Sequence, residues 1–158
     1  MTRWLTDEEQ AAWRAWIAAT ILLPDRLSRD LHEERGLTLA DYEILVHLSE
    51  APGRRLRMSE LADATLSSRS RLSHQIDRLA TAGLVDREPC QDDRRGYFAV
   101  LTAEGWRTIV ATAPIHVESV RRHLVDVLTP EEFAELGRLC RIIAEHARPP
   151  ACETEGGC

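Results

Sequence analysis

Apolar positions recur at helical spacing through most of the chain. Trp13, Ile17, Ile21, Leu27 and Leu31 fall on one face of a first helix that opens after Thr6 and closes at Gly36. Thr6-Asp7-Glu8-Glu9 and Thr129-Pro130-Glu131-Glu132 both have the form of a capping box, so helices are predicted to start near residues 7 and 130. Pro24 lies inside the first helix and is expected to kink it. Thr38 caps a second, short and mostly buried helix carrying Tyr42, Leu45, Val46 and Leu48, which ends at Ala51-Pro52-Gly53. Near the other end two amphipathic helices are predicted. One carries Trp106, Ile109, Val110, Ala113, Val117, Val120 and Leu124, with a bend expected at Pro114, and the other Phe133, Leu136, Cys140, Ile143 and Ala147.

Between residues 54 and 102 the pattern changes. Ser59 to Thr65 reads as a short helix, Leu66-Ser67-Ser68 as a turn that supplies a Ser cap, and 69–82 as a second helix ended by Gly83. Two short helices joined by a tight turn make a helix-turn-helix. In the second of them Leu72, Ile76 and Leu79 share one face, which leaves Arg69, Ser70, Arg71, Ser73, His74, Gln75 and Arg78 for exposure. Side chains of these types suit contact with phosphates and base edges. Two β-prone runs, 84–90 and 97–101, then flank Gln91-Asp-Asp-Arg-Arg-Gly96 and read as a hairpin whose tip presents Arg94 and Arg95 to a narrow minor groove. A hairpin directly after such a helix defines a winged helix-turn-helix. The fold class is mainly α with a small β wing, in the order of four helices, wing and two helices.

The chain has 158 residues and a formal net charge of −6, which argues against a uniformly basic nucleic-acid binder. Position along the chain reverses that reading. Residues 53–95 contain nine Arg and seven acids, a net of +2, while the remainder carries −8. Residues 64–76 hold Arg69, Arg71 and His74 with no acid at all. All 20 basic residues are Arg, so anion recognition must use permanently charged planar guanidinium groups, His or backbone N–H. Arg54 and Arg57, with Arg55, precede the Ser59 helix without an adjacent acid; phosphate contact and plain exposure are both open to them. Arg78 follows Asp77, and helix packing or a backbone phosphate are its two readings.

Ser59-Glu-Leu-Ala-Asp-Ala, Ser68-Arg-Ser, Ile76-Asp-Arg-Leu, Ala82-Gly-Leu-Val, Asp92-Asp-Arg-Arg-Gly and Leu101-Thr-Ala-Glu-Gly stand in an order and spacing that resemble the MarR family of bacterial transcription regulators. The resemblance spans roughly residues 7–147. It implies six helices and a homodimer built by the first helix (1–37) and the last two (103–148). It also implies a DNA-binding domain over 38–102 that reads a pseudo-palindromic double-stranded operator, with Asp93 bracing Arg95 at the wing tip. A small-molecule effector would lie between the dimerisation helices and the reading head. Its wall here would be Trp13, Trp16, Tyr42 and His47, suited to a lipophilic or phenolic ligand. The expected function is that of a dimeric repressor released by such a ligand.

Other classes find less in the residues. No nucleophile, base and orienting group can be assembled by spacing, so no enzyme is expected. No cofactor or metal is expected either: the four Cys form no paired motif, and His116 and His123 lie seven apart on one helix, about 10 Å along its axis. A thiol-responsive regulator of the same fold is an alternative. Cys90 ends the first wing strand near Arg87, Arg94 and Arg95, a setting that favours the thiolate but is opposed by Asp92 and Asp93. A winged-helix protein-interaction module is the other alternative. Residues 149–158, with two prolines and no periodicity, are expected to form a disordered tail. No run approaches a membrane span and the start lacks an apolar signal core, so a cytoplasmic protein is expected, without membrane partners.

Overall fold

The computed structural model describes residues 1–90 and 96–148, so the tail expected at 149–158 lies outside the described residues. Its elements are α1 (Asp7–Arg35), α2 (Leu39–Glu50), β1 (Arg55–Arg57), α3 (Met58–Ala64), α4 (Arg69–Thr81), β2 (Val85–Pro89), β3 (Tyr97–Leu101), α5 (Ala103–His123) and α6 (Pro130–Ala147). Short 3-10 turns at Pro52–Arg54 and Val125–Val127 complete them. The chain divides into two compact units, Met1–Val120 and a second beginning at Arg121.

Local chemistry sets the helix ends where the caps place them. Thr6 Oγ1 accepts from the Glu9 N–H at 3.2 Å while the Glu9 carboxylate accepts from the Thr6 N–H at 2.8 Å. Thr38 with Asp41 and Thr129 with Glu132 repeat the reciprocal arrangement. Gly36 closes α1 in the left-handed conformation, at φ 69°. Pro24 and Pro114 do not break their helices: α1 runs through 29 residues and α5 through 21.

In the first unit the core gathers Leu31 from α1, Ile44, Leu45 and Leu48 from α2, Leu61 from α3, and Leu72, Ile76 and Leu79 from α4. Val85, Ala99, Leu101 and Ile109 close it from the sheet and α5. The sheet has three antiparallel strands in the order β1-β3-β2, not the two of a simple hairpin. Three-residue β1 joins it by pairing Arg55 with Val100 and Arg57 with Phe98. By contrast α6, though amphipathic, buries none of its residues, and Phe133, Leu139, Ile142 and Ile143 all remain exposed. Among the described residues no helix is long and apolar enough to cross a membrane.

Candidate nucleic-acid interface

The helix-turn-helix is built by α3, a turn and α4. Leu66 takes φ 51° in that turn, and the Ser67 N–H donates to the Ala62 carbonyl at 2.9 Å, which reverses the chain within four residues. Ser68 then caps α4, its hydroxyl accepting from the Arg71 N–H at 3.2 Å. At the far end the Leu84 N–H donates to the Leu79 carbonyl and the Gly83 N–H to that of Ala80, a Schellman closure that requires the left-handed Gly83.

With Leu72, Ile76 and Leu79 buried, Ser68, Arg69, Ser70, Arg71 and His74 all stand exposed on α4, and Ser73 is half-buried beside them. There is no acid in the first turn, so the guanidinium groups add to the positive end of the helix dipole. Arg69 and Arg71 have no acidic partner among the described residues. Together these groups make an exposed cationic surface at a helix N-terminus, a setting that attracts phosphate.

One residue assigned to that surface is placed inside, and a second is exposed but paired. Gln75 is only 7% exposed and its Oε1 has no partner among the described residues. It occupies the i+3 position of the stripe 72, 75, 76, 79, so helical spacing puts it inside whatever its polarity suggests. Arg78 pairs with the buried carboxylate of Asp41 at 2.5 Å while its own side chain stays 59% exposed. The same carboxylate accepts from the Thr38 N–H and hydroxyl at 3.2 and 2.7 Å, joining the start of α2 to α4.

The other basic residues are ordered by aromatic faces. The Arg54 guanidinium lies 3.8 Å over the Trp106 ring, and Arg55 and Arg57 lie over Phe98 at 4.0 and 5.4 Å. Arg57, Arg69, Ser73, Arg87, Cys90 and Tyr97 share the lining of a cleft of about 450 Å³ between α4 and the wing. Cys90 is buried there, and its N–H donates to the Gly96 carbonyl at 2.9 Å across the base of the wing. Asp93, Arg94 and Arg95 lie outside the described residues. Sequence reasoning assigns no site role to Arg87, whose place opposite the buried Ala99 is set by strand register.

The aromatic wall expected for an effector does not line either of two clefts, the one above and a smaller one along α1. Trp13 is exposed, Trp16 and His47 are half-buried, and Tyr42 is buried with its ring 4.5 Å from that of His116 on α5. Burial lowers the His116 pKa below the usual 6.5, and His116 Nδ1 has no partner among the described residues. Burial, followed by the negative charge of Glu50, raises that of Tyr42. Because the folded protein takes up the His116 proton less readily than the unfolded chain, stability is full above about pH 6.5 and falls as pH drops toward the lowered folded value. Thermal midpoints at pH 7.5 and 5.5 should therefore differ less in His116→Phe than in the parent. An unchanged difference would remove His116 from the acid response.

The MarR family profile matches residues 35–96. The chain is 32% identical over 111 residues to the transcriptional regulator HosA of Escherichia coli, a match that covers 70% of this chain and 80% of that one. It is 56% identical to AbsC, a MarR family transcriptional regulator from Streptomyces coelicolor, with 92% of this chain and 97% of that chain covered and a TM-score of 0.85. Sco3205 of the same organism and family, solved in complex with DNA, is 49% identical, with 95% and 94% covered and a TM-score of 0.91. The chain belongs to the MarR family of transcriptional regulators and has its winged-helix fold.

Proposed function

We propose that this regulator reads a specific sequence in double-stranded DNA as a homodimer, and represses from a pseudo-palindromic operator until a small lipophilic or phenolic ligand releases it. The observation that carries the reading is the exposed, acid-free start of α4, where Ser68, Arg69, Ser70, Arg71 and His74 are presented together. Ser73 at its edge and Arg54 and Arg57 beside it would add contacts to phosphate. Arg94 and Arg95, braced by Asp93, would enter the minor groove. The 49% identity to a relative solved with DNA supports the same reading.

A dimer suits the apolar side chains a single chain leaves in water. Trp13, Ile21 and Leu22 on α1 and the apolar face of α6 are exposed, and one module alone reads few base pairs. Residues 1–37 and 103–148 would thus dimerise while 38–102 bind the operator in the cytoplasm. To act as a switch, the ligand must distinguish two spacings of the reading heads by about 1–3 kcal/mol.

Selection of bound fragments from random duplexes, followed by affinity measured against salt, tests the reading. A recurrent two-fold sequence is expected, with log K falling by about 0.9 per decade of salt for each phosphate neutralised. Recovery of no preferred sequence, together with salt-independent affinity, would instead favour a protein-interaction module.

A further inference from the structure

We propose that Arg87 is a positioning residue for operator recognition, which reaches from the wing strand to set the rotation of α4 through Ser73 and Asp77 without itself touching DNA. The inference rests on the DNA-reading function proposed above. In β2 Arg87 faces the same side of the sheet as the buried Ala99 opposite it, so its side chain is directed toward α4 and not outward with Glu88. Its Nη2 lies 3.0 Å from both the carbonyl and the hydroxyl oxygen of Ser73 and 2.9 Å from the Asp77 carboxylate. One terminal nitrogen thus hydrogen-bonds both oxygens of Ser73 and ion-pairs with Asp77, a full turn further along the recognition helix.

Packing alone does not supply this restraint. The stripe of Leu72, Ile76 and Leu79 holds α4 against the core, but apolar contact is non-directional and tolerates small rotations about the helix axis. Hydrogen bonds are directional, and the Arg87 contacts lie at the edge of the stripe, where a rotation would stretch them most. Ser73 is one turn from Arg69 and adjacent to His74, so fixing it fixes where both reach. The arrangement has a cost, since Arg87 Nε is buried with no partner among the described residues. The guanidinium is 30% exposed and already engaged, whereas the Asp77 carboxylate is 60% exposed.

Asp77→Ala provides a test in which two explanations predict opposite signs. Removal of an acid beside a DNA-reading face should tighten binding if only charge matters. As the anchor of Arg87, its loss should weaken operator binding by roughly 3- to 10-fold and relax the base preference, with the salt slope unchanged. Arg87→Met should weaken binding roughly 10-fold or more, again at the parental slope, and the double variant should be no weaker than Arg87→Met. The inference is overturned if Asp77→Ala binds as tightly as the parent or tighter, or if Arg87→Met lowers the slope by about the 0.9 that one neutralised phosphate contributes. Should Arg87→Met fail to fold by helical circular dichroism, Asp77→Ala decides alone, since its side chain is exposed. A parent that binds no duplex overturns the DNA-reading function and this inference with it; a parent that binds beside an unaffected Asp77→Ala overturns the inference only.

Discussion

Replacement of Gly105 by alanine is expected to destabilise the fold by about 1–3 kcal/mol and to lower the thermal midpoint by roughly 2–12 °C. A Cβ at that position would stand 2.1 Å from the Leu84 carbonyl oxygen and 2.6 Å from Leu101 Cδ1. Neither neighbour can easily withdraw. The Leu84 carbonyl accepts from the Thr102 N–H at 3.1 Å. The Thr102 hydroxyl donates to the Gly83 carbonyl at 2.7 Å and accepts from the Gly105 N–H at 2.9 Å. The start of α5 is thereby tied to the start of β2, and the added methyl group must push the two apart. Alanine's better helix propensity, worth up to about 1 kcal/mol, works against the clash but is outweighed by it. If thermal denaturation finds Gly105→Ala as stable as the parent, the close approach of α5 to the wing is wrong.

Arg69→Ala is expected to leave stability within about 0.5 kcal/mol of the parent while weakening operator binding by about 1–3 kcal/mol and relaxing sequence preference within each half-site. The side chain is exposed at the start of α4 and contributes nothing to the core, so folding does not depend on it. Its charge stands at a helix N-terminus without a neighbouring acid in the first turn. Without the guanidinium, the base edge it would bond keeps an unpaired acceptor in a desolvated groove, and water does not restore that hydrogen bond at equal free energy. Arg138→Ala makes the comparison, since that guanidinium already pairs with Glu135 on α6 at 2.7 Å; operator affinity should stay within about twofold. Titration of the selected operator and of single-base variants separates the two effects. Equal affinity of Arg69→Ala and the parent for all of them would remove α4 from the reading face.

The parts of the fold legible in the sequence are those closed by short-range bonds. Thr6, Thr38, Ser68 and Thr129 each cap a helix through a residue three positions on, and Gly36 and Gly83 end helices by their own backbone conformation. Strand β1 is not legible, because three residues carry no period and become a strand only by pairing with β3. The prolines inside α1 and α5 mark no boundary, since both helices run on through them. Gln75 misleads by its side-chain type, although its spacing already places it inward. The ring contact of Tyr42 with His116 joins residues 74 positions apart and has no sequence signature.

The sequence by itself determined the helix boundaries, the helix-turn-helix, the segregation of charge and the resemblance that places the chain in its family. It did so because caps, spacing and motifs are local, and a residue three or four positions away is a neighbour in any helix. What only the tertiary structure decided is which arginines among the described residues remain available to a ligand. In sequence these guanidinium groups are alike. Folding commits Arg78 to Asp41, 37 residues away, and Arg87 to Ser73 and Asp77, and lays Arg54 on Trp106, while Arg69 and Arg71 find no acid among the described residues. The physical reason is that an ion pair or ring contact forms only where packing brings its partners within a few ångströms, and side-chain identity carries no information about distance across the fold.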